Sequence, residues 1–230
     1  MLCFFTDFGW AGPYVGQMRA AAAAAAPGLP LIDLMHDAPA FRPKPAAYLL
    51  AALLRDLPEG AAVCAVVDPG VGGARRAVML EADGRKLIGP DNGLLAIAAR
   101  RADRADWREV LWRPERLSAS FHGRDLFAPA AARWAIGERP ESRPLSDAPI
   151  GADWPEDLAE IVHIDGYGNC LTGLRADRAA LPLPRKRTFA DAAPGEAFWY
   201  ENSCGLAEIA VNQGSAAERL GLSVGDPSPR

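Results

Sequence analysis

The chain holds three histidines, His36, His122 and His163, and one of them stands where it can do chemistry. His122 lies in Phe121-His122-Gly123-Arg124-Asp125, a polar loop leading into a helical stretch, with ionisable groups close by. Gly123 permits close backbone approach there, and an imidazole in such company can orient a water and exchange its proton. A second constellation is Val67-Asp68-Pro69-Gly70-Val71-Gly72-Gly73-Ala74-Arg75-Arg76, in which an apolar run ends at a carboxylate and glycines lead on to paired arginines. Those glycines allow positive φ or contact with a ligand, although a surface turn would use the same residues. No Lys-Ser/Thr follows them, so the segment is not a phosphate-binding P-loop, and it is a poor dinucleotide fingerprint. Thr6-Asp7-Phe8-Gly9 follows the first apolar run. A carboxylate at that point can accept from a ribose diol or cap a turn or helix. The turns Asp165-Gly166-Tyr167-Gly168-Asn169 and Glu201-Asn202-Ser203-Cys204-Gly205 set polar groups near an aromatic, and turn chemistry alone explains their Gly and Asn. His36, beside Asp37, reads as a hydrogen-bonding residue at a strand end, and His163 as a structural residue within a strand.

The elements that must position these groups alternate. Leu2–Phe5, Leu31–Leu34 and the wholly apolar Ala61–Val67 read as strands, with shorter ones near Ala77–Leu80 and Lys86–Ile88. Helices are expected from near Pro13 to Pro27-Gly28, through Tyr48–Arg55, over Leu94–Arg100 and over Leu126–Ile136. This alternation predicts an α/β domain over residues 1–140 with a mostly parallel sheet. In such sheets ligands gather at the carboxyl ends of strands, where Asp7 and Asp68 fall. A stretch rich in Pro, Glu, Ser, Asp and Gly at 141–156 reads as a linker. Short segments punctuated by turns then predict a small all-β, barrel-like domain over 157–230.

Composition narrows the partners. The 230 residues are half hydrophobic and carry a net charge of −4 without blocks of one sign. No basic stripe tracks a phosphate backbone, so nucleic acid is not an expected partner. The four cysteines are dispersed, with neither zinc spacing nor the density of a disulfide scaffold, and read as small buried hydrophobes. The N-terminus lacks a signal-peptide core, and the alanine run Ala20–Ala26 is too short to span a bilayer. A soluble, cytoplasmic protein with no metal and no membrane contact is expected.

Taken in order, the motifs are more specific than any one alone. Thr6-Asp7-Phe8-Gly9 with Tyr14-Val15-Gly16, Asp68-Pro69-Gly70-Val71-Gly72 with Arg75-Arg76, Pro90-Asp91-Asn92-Gly93-Leu94-Leu95, Phe121–Pro129, Asp165–Asn169 and Glu201–Ser203 through Glu208–Asn212 resemble the S-adenosylmethionine hydroxide adenosyltransferases, hydrolase relatives of the fluorinases and chlorinases. The resemblance covers nearly the whole chain. It implies hydrolysis of S-adenosylmethionine to adenosine and methionine, with water activated by Asp68, Arg75 and His122. Arg76 is the neighbouring alternative to Arg75. The resemblance also implies that Asp7 binds ribose and Phe41 borders the nucleoside. Asp165 and Ser203, with Asn202 in the same turn, would serve the amino-acid end, and Tyr167, Asn169, Val211 and Gln213 would surround adenine. It implies a homotrimer with an intersubunit site, and no cofactor beyond the substrate.

The chemistry is consistent with these groups. The substrate's sulfonium leaves as a neutral thioether and needs no acid, so the scarce component at neutral pH is the nucleophile. A carboxylate and an imidazole can orient water and accept its proton, and an arginine favours hydroxide, opposite charges ~4 Å apart being worth on the order of 4 kcal/mol at an effective dielectric near 20. Two alternatives remain: a module that binds the same ligand without turnover, and a halogenase. An ionised Asp68 would repel a halide, which favours water. A methyltransferase ranks last, because no glycine-rich loop follows the first strand.

Overall fold

Seven strands build the first sheet: β1 (Leu2–Thr6), β2 (Leu31–Met35), β3 (Ala62–Val66), β4 (Ala77–Ala82), β5 (Arg85–Pro90), β6 (Ala105–Val110) and β7 (Ser142–Pro144). The computed structural model describes residues 1–229. They divide into two compact units, Met1–Ala51 with Leu57–Trp154, and Ala52–Asp56 with the chain from Pro155 onward.

In the first unit the strand order is β2-β1-β3-β5-β4-β6-β7. Pairings β1–β2, β1–β3 and β3–β5 are parallel, and β4, β6 and β7 extend the sheet antiparallel. Every residue of β1 and β3 is buried, as a parallel sheet covered on both faces requires. Leu2 and Phe4 of β1 join Cys64 and Val66 of β3 in a core with Met18, Ala22, Leu126, Phe127 and Trp134. Truncating a fully buried phenylalanine such as Phe4 to alanine costs about 3–5 kcal/mol, so the strand ends that carry the loops are firmly seated.

Helix α1 (Tyr14–Ala25) buries Val15, Met18 and Ala22, one stripe at helical spacing, and packs against α4 (Ala128–Ala135). The remaining helices of this part of the chain are α2 (Pro43–Leu53) and α3 (Ala96–Arg101). The helix expected over Leu126–Ile136 begins earlier and differently. Gly123–Phe127 form a π-helical turn that runs into α4.

Two strands escape the sequence reading. β6 (Ala-Asp-Trp-Arg-Glu-Val) is mostly polar or half-exposed. β7 falls inside the stretch read as a linker. Trp154, also in that stretch, lies over Gly93: a Cβ added there would come within 2.2 Å of its ring. The β4–β5 pair is an antiparallel hairpin whose turn residues, Asp83 and Gly84, both have positive φ (47° and 76°), the geometry that Asp-Gly favours.

The second unit is an antiparallel sheet of β8 (Leu158–Ile164), β9 (Cys170–Arg175), β10 (Ala197–Glu201) and β11 (Leu206–Val211), in the order β10-β11-β9-β8. Its core contains Ile161, Cys170, Trp199, Ile209 and Val211. A short helix, α5 (Ala216–Leu220), is capped by Ser215, whose hydroxyl accepts from Glu218 N, and is closed by left-handed Gly221. Among the described residues no helix is long and apolar enough to cross a membrane.

Candidate active site

The order β2-β1-β3 means that the chain leaves β1 toward one side for β2 and crosses to the other for β3, a topological switch point. Thr6 lies opposite Val66 across β1–β3, so Asp7 and Asp68 emerge from neighbouring strand ends at that crevice. A cleft of about 580 Å³ opens there, lined by Asp7, Phe8, Tyr14, Phe41, Asp68, Ser118, Ser120, Phe121 and His122 among others.

Asp68 and Arg75 face each other across the glycine-rich turn. Arg75 Nε donates to both Asp68 carboxylate oxygens at 3.0 Å, and its Nη2 donates to Oδ2. The same Nη2 lies 3.0 Å from His122 Nδ1, and the guanidinium sits over the Phe127 ring, 5.2 Å from its centroid. Arg76 turns away, its Nε donating to Asp91 at 2.9 Å. The turn itself demands glycine at one point. Gly72 has φ +80°, and a Cβ there would meet Ala119 O at 2.5 Å. That close approach seats the Asp68–Arg75 turn against the Ser118–Ser120 loop. Asn92 ties down the strand end by donating to Val67 O at 2.8 Å.

His122 immediately precedes the π-turn. Asp125, inside that turn, accepts from Ser118 N at 2.8 Å and so joins the two loops of the cleft. Burial, and then the Arg75 cation, hold the His122 pKa below its ordinary 6.5, so the ring is neutral at neutral pH. A guanidinium only donates. Nδ1 is therefore the acceptor, and the single ring proton is on Nε2.

Asp7 accepts from Phe41 N at 3.0 Å. Phe41 reaches that position with φ 60°, one of three non-glycine residues with positive φ among the described residues, and the residue is 76 % exposed. Burial pushes the Asp7 carboxyl up from its ordinary value, and the nearby Asp68 adds to this. His36 is buried at the end of β2 and bonds Thr6 and Asp33. His163 lies in β8.

In the second unit, Asp165, Tyr167, Asn169, Val211 and Gln213 line one cavity of about 560 Å³ together with Phe189 and Tyr200. Asp165 organises its own turn. Its Oδ1 accepts from Tyr167 N and Asn169 N, and its Oδ2 from Asn169 Nδ2, all at 2.9 Å. Tyr167 is left 84 % exposed, and Gln213, like Phe41, holds a left-handed φ of 60°. Asn202 and Ser203 do not line this cavity. The Asn202 side chain is occupied locally: Oδ1 accepts from Cys204 N and Leu206 N, while Nδ2 donates to buried Glu208 at 2.9 Å.

Sequence reasoning overlooked the aromatic lining. Phe8, Tyr14 and Phe121 pack edge-to-face with centroids 5.4–5.9 Å apart, yet all three sit inside the quoted motifs. Phe189 and Tyr200, with centroids 5.4 Å apart, come from separate segments that the fold brings together.

Comparison with known proteins identifies the family. Residues 2–143 match the SAM hydroxide adenosyltransferase N-terminal domain, and residues 159–228 match its C-terminal domain. The chain is 42 % identical to a (R)-S-adenosyl-L-methionine hydrolase of Thermus thermophilus, covering 97 % of this chain and 96 % of that one. A protein of the same name from Salinispora arenicola is 39 % identical, over 98 % and 95 %. A crystal structure of an uncharacterized conserved protein from Thermotoga maritima overlays with a TM-score of 0.86 at 28 % identity, covering 98 % of both chains. With both domains matched in order and relatives similar along their full length, the chain belongs to the SAM hydroxide adenosyltransferase family.

Proposed function

We propose that this protein hydrolyses S-adenosyl-L-methionine to adenosine and L-methionine by attack of water on the 5′ carbon, and that Asp68, Arg75 and His122 handle the water. The observation that carries this reading is the contact of these three side chains in one cleft at the switch point of the sheet. The water oxygen bonds to C5′, the C5′–S bond breaks with its electron pair passing to sulfur, and neutral methionine leaves. The water's proton passes to Asp68. Its Oδ1 accepts only from Arg75 Nε among the described residues and keeps a lone pair. His122 presents Nε2–H to the same cleft and holds the oxygen as a donor, while Arg75 stabilises hydroxide character. Asp7 holds the ribose diol, with Phe41 at its border. The cavity of Asp165, Tyr167, Asn169, Val211 and Gln213 takes the rest of the substrate, with Asn202 shaping the Ser203 turn. No cofactor besides the substrate enters this scheme.

Tyr167 and Phe41, both largely in water, rim two open cavities. We read them as halves of sites completed between copies of the chain, as in a homotrimer, in the cytoplasm. Dilution to a monomer then abolishes turnover.

The test is incubation with substrate and chromatographic resolution of products. The relatives' names specify the (R) sulfonium, a stereocentre, so both epimers are supplied, with chloride and fluoride varied. Adenosine and methionine formed by the wild type and lost in Asp68→Ala support the reading. A halogenated nucleoside, or tight retention without turnover, overturns it.

A further inference from the structure

Behind Asp7 lies a buried chain of polar groups that the proposed reaction does not use. Thr6 and His36 are among the few buried polar side chains of this unit, 0 % and 1 % exposed. Thr6 Oγ1 is 2.8 Å from His36 Nδ1, His36 Nε2 is 3.1 Å from Asp33 Oδ1, and Asp33 Oδ2 accepts from Arg19 Nη1 at 2.5 Å. The directions for a neutral ring follow from the partners. Asp33, ion-paired to Arg19, only accepts, so a neutral His36 carries its proton on Nε2 and accepts from the Thr6 hydroxyl at Nδ1. Thr6 Oγ1 is thereby free to accept from Phe8 N, at 3.3 Å. The His36 main-chain oxygen accepts from Gly9 N at 2.7 Å, and Ala38 N donates to Thr6 O at 3.1 Å. The His36 ring meets Trp10 edge-on, with centroids 4.8 Å apart.

Every attachment falls on the residues flanking Asp7, from Thr6 before it to Phe8, Gly9 and Trp10 after it. Apart from its own backbone N–H, the Asp7 carboxylate receives Phe41 N. We propose that His36 is a positioning residue, which through Thr6 and Gly9 holds the Asp7 loop so that the carboxylate meets the ribose diol. Arg19 and Asp33 fix its tautomer from the surface side. The proposal rests on the reading of Asp7 as the ribose contact. A misplaced binding group weakens ground state and transition state alike, so the loss falls on KM rather than kcat.

Thr6→Val is the sharpest test, because it keeps the β-branched shape of the strand residue while deleting the hydroxyl. The expected result is a rise of about tenfold in KM and in the Kd for adenosine, the order of one lost hydrogen bond to an ordered group, with kcat within about twofold. Thr6→Ser restores both constants. In an Asp7→Asn background Thr6→Val adds nothing further. His36→Asn, which keeps an acceptor near Nδ1, is milder than His36→Phe. Titration of the Asp7 carboxyl carbon by NMR needs no ligand, and it shifts in Thr6→Val but not in Thr6→Ser. Unchanged constants and an unchanged titration in Thr6→Val overturn the proposal, as does full additivity with Asp7→Asn. If the titration moves but the wild type neither turns over nor binds adenosine, the functional reading fails while the positioning role stands.

Discussion

Arg75 Nη2 lies 3.0 Å from His122 Nδ1, so a group that can only donate faces the ring nitrogen nearest it. The pair assigns the imidazole its tautomer before any substrate arrives. It also separates two roles that an Asp-Arg-His set leaves open: in the proposed reaction the ring donates and the carboxylate takes the proton.

Replacement of His122 follows from that assignment. Glutamine places an amide N–H near the position of Nε2, so His122→Gln keeps turnover within about tenfold of wild type, whereas His122→Ala loses about 10²–10³, the usual cost of an aimed donor. Steady-state kcat on purified variants checks this. A glutamine variant as inactive as alanine would assign the base to His122.

The pH profile has a defined sign. The folded pKa of His122 is depressed below 6.5, so the unfolded chain takes up a proton first as pH falls. The contribution of neutral His122 is fully present above 6.5 and is lost as pH drops toward the depressed value. The acidic limb of kcat/KM therefore lies below 6.5, and the fall in melting temperature over that window flattens in His122→Gln. Asp7 runs in the opposite sense. Its carboxyl pKa is raised, so ionised Asp7 is a cost to the folded state at neutral pH, and Asp7→Asn melts higher there while binding adenosine more weakly.

Phe41 holds a left-handed φ that costs an L-residue about 1–2 kcal/mol, and its exposed ring recovers little of this. Phe41→Gly is expected to be as stable as wild type or more so, by up to about 1 kcal/mol in chemical denaturation. The same change weakens adenosine binding, measured by calorimetry. Lower stability would mean that the ring is packed in solution.

Gly72→Ala has the opposite outcome. The added methyl meets Ala119 O and the residue is strained as well, so a loss of about 1–3 kcal/mol in stability is expected. A fall in kcat accompanies it as the Ser118–Ser120 loop is displaced from the Asp68–Arg75 turn. Gly84→Ala, with open space around its Cβ but a positive φ, serves as the control and leaves kcat unchanged.

Much of this was legible in the sequence because the site hangs on strand ends. β1 and β3 are unbroken apolar runs, and the groups that follow them, Asp7 and Asp68, are conspicuous for standing there. The adjacent Arg75 and Arg76 are alike in local sequence, where only the resemblance favours the first, and the partners Asp68 and Asp91 separate them. β6 was hidden because it pairs beyond the parallel core and exposes much of its length, so it has no apolar run. Asn202 stands in a turn whose partners are not legible locally, because a turn-forming Asn and a binding Asn share one local signature. The carboxylate it donates to, Glu208, is buried within β11 and is reached only through the fold. The His36 chain joins groups from β1, β2 and α1, and nothing in any one of them announces it.

The turn at Gly123–Phe127 gives the cleft a sensitivity to length. A π-turn is an α-helix that has gained one residue without moving its ends. α4 is anchored by Phe127, Ala128, Ala131 and Trp134 in the core, so its phase cannot adjust. Deleting a single residue from the turn would therefore restore regular α-helix with His122 still facing Arg75, whereas deleting one from α4 itself would turn everything before it by about 100° around the axis. In that case His122 would leave Arg75 although no side chain of the trio had been altered. Deletions before and after Phe127 thus have opposite outcomes, told apart by helical phase alone.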